Sequence, residues 1–291
     1  MRTRSAVHLM PLLAPVHVLI LSVIVLPSIY VIWLSLTQST FGQAPTFVGL
    51  ENYVHVLTDP AFHSALWNTV VLVVVAVHVE LALALLLALL FASGLPFRRL
   101  LLVAVMAPYA VSEVTAVVMW RFLFDPDAGP ITLMLQALGL PILDWSFEPS
   151  HAMILIALLT IWMHLPFTFI ILYAARLAIP NELYEAARID GATPLQAFRR
   201  VTLPLLGPAI AVALLFRYIF AFRMFSEVWL LTNGGPARMT EVVAVYLYQE
   251  AFSYNAFGTA AATAWIMVIV ALLLAAGYVF ILRKQVSANA H

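Results

Sequence analysis

Apolar residues in this chain do not alternate with polar ones. They run in long blocks, roughly 8 to 36, 65 to 92, 100 to 122, 151 to 176, 207 to 231 and 256 to 282. Each block is about 20 to 29 residues long, enough at 1.5 Å per helical residue to cross a hydrocarbon layer of about 30 Å. The pattern predicts an all-α polytopic membrane protein with six transmembrane helices. The first block follows Met-Arg-Thr-Arg, but it is longer than a secretory signal core and lacks a small-residue cleavage site, so it reads as a retained span. The segments between blocks are too short for a separate folded domain, which predicts a single membrane domain over 1–291. Pro11, Pro15 and Pro27 in the first block and Pro108 in the third are sites where a helix can kink.

Composition agrees: 64% of the residues are hydrophobic and 10% charged, against about 25% charged in a soluble domain. Soluble enzymes and nucleic-acid-binding modules are excluded, and a net charge of zero offers nucleic acid nothing to bind. With no cysteine there are no disulfides and no thiolate chemistry. The eight histidines show no metal-ligand spacing, and His78 and Glu80, two apart, point to different helical faces, so no metal site is expected. Lys284 is the only lysine and lies in Leu-Arg-Lys-Gln, so no phosphate-binding loop exists and any ATP is hydrolysed by another chain. With the N-terminus cytoplasmic, one side receives Arg2, Arg4, Arg98, Arg99, Arg176, Arg188, Arg199, Arg200, Arg283 and Lys284, ten of the fourteen positive charges. The excess of basic residues on that side predicts that both termini are cytoplasmic.

One inward segment, 180–208, is too polar for the membrane and too patterned to be slack. Asn181 is a candidate cap for a short helix in which Leu183, Ala186 and Ala187 share a face, and Gly191 suits a left-handed turn ending it. Thr193, Pro194 and Gln196 then form an N-cap, first-turn proline and capping-box series, followed at helical spacing by Leu195, Phe198 and Val201. The result is two short helices around a small-residue elbow. It reads either as a docking surface or as an ordinary amphipathic loop.

Glu185-Ala186-Ala187, Asp190-Gly191-Ala192, Phe198 and Val201-Thr202-Leu203-Pro204 together resemble the cytoplasmic signature of the membrane subunits of binding-protein-dependent (type I) ABC importers. The resemblance extends to Trp120-Arg121-Phe122-Leu123-Phe124 and Leu230-Leu231-Thr232-Asn233-Gly234-Gly235-Pro236. Tyr248 to Phe252 and Gly258 to Ala262 are similar to the carbohydrate-uptake branch, specifically the first of its two dissimilar permeases. The resemblance implies a sugar permease of a bacterial inner membrane. It implies a second permease, two cytoplasmic ATPases holding ATP and magnesium, and an extracytoplasmic binding protein as partners, with no cofactor on this chain. It also implies that the helix bearing Glu185 to Ala192 seats in the ATPase, with Phe198, Leu203 and Pro204 completing the signature. Ser226 stands where the family often has aspartate.

Charges inside spans are costly and normally face protein or water. Arg217 lies near mid-depth, Arg223 and Glu227 are four apart and suited to pair on one helical face, and Glu80 and Glu113 lie in the second and third spans. These charges either pair between helices or touch the solute, and a cavity-facing Arg217 would favour an anionic sugar derivative. Trp120, Trp162, Tyr173, Tyr218, Phe222 and Trp229 are aromatic candidates for the pathway, or simply helix packing. An ion-coupled secondary transporter using Glu80, Glu113 and Glu227 is the competing class, and it leaves the elbow unexplained. An intramembrane enzyme has no reactive constellation to support it.

Overall fold

The computed structural model describes residues 14–288. Arg2, Arg4, Pro11 and the start of the first predicted span lie outside them. Among the described residues, five helices are long and apolar enough to cross a membrane, or six if one bent pair counts as a single span. They are α1 (Ala14–Ser35), α3 (Pro60–Ala92), α7 (Pro149–Leu177), the helix Pro194–Ala221, and α13 (Phe257–Ala288).

By internal packing the chain divides into two units, Met1–His63 with Tyr246–Ile269, and Ser64–Val245 with Val270–His291. In the first, α1 contains a widened π turn at Leu21–Val25 that ends two residues before Pro27. Proline lacks the N–H that would bond to residue 23 and its ring crowds that carbonyl, and the extra residue in the turn relieves the clash. After α1, a two-residue antiparallel ladder pairs β1 (Thr37–Gln38) with β2 (Thr46–Phe47) in the register Thr37 to Phe47. The helix α2 (Glu51–Thr58) is tied back by Asn52, whose amide donates to the carbonyls of Ser35 and Thr37, both at 2.9 Å. Tyr246 donates its hydroxyl to Asp59 at 2.7 Å within the same unit.

The second unit departs from the predicted spans in two places. The block 100–122 is not one rod: Arg98–Ala110, comprising α4 (Arg98–Met106) and a 3-10 turn, meets α5 (Glu113–Leu123) at 102°. Pro108 sits in that 3-10 turn, Val111 is extended, and Ser112 caps α5 by accepting the N–H of Thr115 at 3.3 Å. Ser112 is the stop and restart signal that hydropathy alone passed over. The block 207–231 is also broken. There α10 (Leu203–Ala221) gives way at Phe222–Phe225 to the short α11 (Ser226–Thr232). The break leaves Arg223 exposed while Phe222 and Met224 are buried, so the charge reaches out and the apolar neighbours turn in.

Two apolar clusters hold this unit. One gathers Leu72 and Val77 of α3, Leu155 and Leu159 of α7, Val228 of α11 and Val245. The other joins Ala84, Ala88 and Phe91 of α3 to Phe169, Leu172 and Tyr173 of α7 through ring contacts of 5.2 to 6.0 Å. Asn68 donates to the carbonyls of Met239 and Glu241 at 2.9 and 3.0 Å, and Thr69 accepts the N–H of Val243 at 3.0 Å. These bonds satisfy backbone groups that the turn after α11 leaves without partners in its own chain segment, those of Glu241 and Val243 being buried.

Candidate functional site: the capped elbow and the broken helices

The elbow begins where α7 ends. Pro180, in an extended conformation, occupies the N-cap position of α8 (Asn181–Ile189), and Asn181 is the first helical residue with no side-chain cap bond. The expected Asn181 cap is thus displaced by one residue, because proline's fixed φ already turns the chain into the helix. The other end follows the sequence. Gly191 adopts φ +76°, its N–H bonds to the Arg188 carbonyl at 3.1 Å, and the Ala192 N–H bonds to the Ala187 carbonyl at 2.9 Å. This double closure is the Schellman arrangement, which requires the left-handed residue that glycine supplies. Two residues on, Thr193 accepts the N–H of Gln196 at 3.3 Å while Gln196 Oε1 accepts the N–H of Thr193 at 2.8 Å, a complete capping box opening α9 (Pro194–Ala197).

From α9 the chain passes through a π turn, Phe198–Thr202, directly into α10, so the second elbow helix and the span are one continuous helix, Pro194–Ala221. This π turn also ends two residues before a proline, Pro204. The Tyr184 and Thr202 hydroxyls lie 3.0 Å apart, and the Arg176 guanidinium stands 4.3 Å over the Tyr184 ring, which fastens α8 to both α7 and the base of α10. A groove of about 620 Å³ between them is lined by Arg176, Tyr184, Arg188, Ala192, Leu195 and Phe198.

The structure brings the predicted signature residues together on this elbow. Glu185, Ala186, Asp190 and Gly191 are exposed, Ala187, Ala192 and Phe198 are half-buried, and Leu203 and Pro204 are exposed where α10 begins. Nothing lies within 4 Å of where a Gly191 side chain would start. Ile189, at 86% exposure, is an apolar side chain of α8 left uncovered beside them.

Of the two readings of the charges inside the spans, Glu80 and Arg217 follow the pairing between helices, whereas the expected Arg223–Glu227 pair does not form. Arg217 is 2% exposed and Glu80 fully buried. The Arg217 Nε lies 2.9 and 2.8 Å from the two Glu80 carboxylate oxygens, its Nη2 is 2.8 Å from Oε2, and Thr168 donates its hydroxyl to Oε1. Arg217 therefore faces a carboxylate and not an open cavity. Arg223 and Glu227 do not share a helical face, since the helix between them is broken. The buried Glu227 instead meets His164 of α7, with Nε2 and Oε1 3.5 Å apart, and Glu113 at the start of α5 is a second charged neighbour. Around the same apolar cluster stand Trp120, Trp162, Tyr218, Phe225 and Trp229. The Trp120 and Trp162 rings are 5.7 Å apart, and the Tyr218 hydroxyl is 3.3 Å from His78 Nδ1. Tyr173 belongs to the second apolar cluster, packed on Phe169. Sequence reasoning missed His164, Thr168 and the joining of Glu80 to Arg217. The signal for that pair was present, as both sit deep in their spans with opposite charge. No group of three or more metal-ligating side chains occurs among the described residues.

Long apolar helices, two of them interrupted, with a capped elbow running straight into a span, make up the fold of a multi-pass ABC-importer permease. A bacterial ABC transporter described as importing the acidic polysaccharide alginate shares this fold, with a TM-score of 0.85 over 97% of this chain and 96% of that one at 24% identity. The chain belongs to the binding-protein-dependent transport system inner membrane component family, whose pattern matches residues 80–287. It is 35% identical over 281 residues to the sulfoquinovosyl glycerol transport system permease protein SmoG of Agrobacterium fabrum, covering 94% of this chain and 90% of SmoG. It is 34% identical over 248 residues to the trehalose/maltose transport system permease protein MalF of Thermococcus litoralis, covering 85% and 83% respectively.

Proposed function

We propose that this chain carries a sugar or sugar derivative across a bacterial inner membrane as the first of two dissimilar permeases. An extracytoplasmic binding protein delivers the solute, and two cytoplasmic ATPases drive its passage. SmoG and MalF are both named for the transport of carbohydrates or carbohydrate derivatives, which supports the solute class. The distribution of Arg and Lys supports cytoplasmic termini and an elbow on the ATPase side. ATP and magnesium belong to the partner subunits, and this chain acts mechanically and not as a catalyst. Coupling then needs a rigid contact that ATP-driven closure can displace, because a ligand biases two conformations only through differential contacts.

The observation that carries this reading is the elbow itself. It is closed at both ends by backbone and capping bonds, exposes Ala186 and Gly191, and is covalently continuous with a span. The solute passes beside the two helix breaks, where Trp120, Trp162, Tyr218, Phe222, Arg223 and Glu227 stand with Glu113 and His164, since broken helices line cavities in transporters. Glu185→Lys or Gly191→Trp tests the coupling in the complete transporter reconstituted in vesicles. Each variant folds and inserts into the membrane but uncouples solute uptake from ATP hydrolysis. Wild-type uptake per ATP hydrolysed in either variant would refute the docking role.

A further inference from the structure

A buried ion pair is an expensive way to fill a helix contact. Similar volumes of apolar side chain are often neutral or better for stability, whereas removing one charged partner alone costs about 3–5 kcal/mol. What the Glu80–Arg217 pair supplies beyond packing is geometry. The guanidinium, whose Nε donates to both carboxylate oxygens at 2.9 and 2.8 Å while Nη2 lies 2.8 Å from one of them, is held close against the carboxylate and accepts little sliding. Thr168 fixes the carboxylate from the third helix. One point on α10 is thereby held in register against both α3 and α7.

The location of that point matters. The continuous helix Pro194–Ala221 is soft at its elbow end, where the π turn Phe198–Thr202, Pro204 and Pro208 interrupt its ladder of hydrogen bonds. Its remaining stretch, 209–221, contains neither proline nor glycine. Arg217 lies in that stiff stretch, one turn before the break at Phe222–Phe225. The other end of the helix is gripped at Thr202 by Tyr184 of the elbow. The helix is thus held at both ends of a segment that joins the docking surface to the break.

We propose that Glu80, Thr168 and Arg217 are positioning residues that hold the far end of α10 in one register, so that displacement of the elbow reaches the break at Phe222–Phe225 instead of being lost as slippage. This rests on the coupling role proposed above for the elbow. Being free of cysteine, the chain accepts paired spin labels at introduced cysteines, with the partner subunits made cysteine-free. One pair, Leu177→Cys with Arg199→Cys, reports the elbow. The other, Val118→Cys with Asn233→Cys, reports the break.

The complete transporter in lipid nanodiscs is measured with and without Mg-ATP and vanadate. In the wild-type background both label pairs change separation. Glu80→Met with Arg217→Met leaves no orphaned charge and assembles, its elbow pair still moves, and its break pair loses the nucleotide-driven change. Thr168→Val is nearly isosteric and keeps both charges. It reduces the change at the break alone, and it carries the test if the double variant does not assemble. A full wild-type change at the break in the double variant, or in Thr168→Val when that variant stands alone, overturns the proposal, because a merely structural pair would leave the motion intact once the fold is restored. An elbow pair that does not respond to nucleotide in the wild type overturns the docking role itself, a different outcome from an elbow that moves with an indifferent clamp.

Discussion

The strictest test of the elbow is at Gly191, because the structure separates backbone strain there from bulk. Its φ is +76° and no atom lies within 4 Å of an added Cβ, so alanine meets no neighbouring atom and is penalised only by backbone strain. Holding an L-residue in the left-handed region costs about 1–2 kcal/mol, and asparagine tolerates that region better. If docking onto the ATPase requires the closed elbow, the strain is taken on at binding, and about 1–2 kcal/mol lowers affinity by about 5- to 30-fold. The expected order of dissociation constants is Gly191 wild type, then Gly191→Asn, then Gly191→Ala, then Gly191→Val. Titrating the transporter's own ATPase subunits onto nanodisc-embedded permease pairs reads this directly. The informative inversion is between alanine and asparagine. Were steric bulk at the interface the controlling factor, the larger asparagine would be the worse of the two. That order, or an alanine variant docking as tightly as wild type, would refute the claim that the left-handed closure is what the partner recognises.

Two further substitutions probe the framework around the sites. Asn68→Leu strands the carbonyls of Met239 and Glu241, a loss of about 1–3 kcal/mol. It lowers the thermal midpoint of the purified protein, and an unchanged midpoint counts against these bonds. At Gly258 an added Cβ would run into the Thr37 carbonyl and come 2.8 Å from the Asn52 amide that bonds to it. Gly258→Ala therefore destabilises by about 1–3 kcal/mol through overpacking and speeds proteolytic nicking within 37–58, whereas wild-type resistance would show that the contact yields freely.

Local rules made the elbow legible. The Thr193-Pro194-Leu195-Gln196 cap and Gly191 act through bonds within five residues of one another, so their geometry followed from sequence spacing alone. The long spans were equally legible, since their length answers to a fixed membrane thickness. The breaks were not, for two separate reasons. At Ser112 the signal existed, a serine followed three residues later by a threonine whose N–H it accepts, but continuous hydropathy on both sides hid it. At Phe222–Phe225 there is no proline or glycine to read, and the backbone leaves the helix while burying Phe222 and Met224 and exposing Arg223. That choice depends on what the neighbouring helices offer.

Pairing between helices was expected, but which charges pair did not read out, for a related reason. Spacing along one helix favoured Arg223 with Glu227, a pairing of the usual four-residue kind, whereas the structure spends Glu80 on Arg217 across 137 positions and Glu227 on His164. In a surface helix the local pair would compete well, because water pays for any charge left over. Inside a span no such solvent is available, so each buried charge is assigned by which partner it can reach in three dimensions, and Arg223 is freed only because the helix breaks and lets it out. The same reasoning moves the expected site of solute contact. With the guanidinium of Arg217 committed to Glu80, selectivity for an anionic solute has no source at that position, and the groups beside the breaks are the carboxylates of Glu113 and Glu227, the His164 imidazole and the exposed Arg223. On the proposed pathway, a preference for solute charge would follow from the balance among those four groups and not from the deepest arginine.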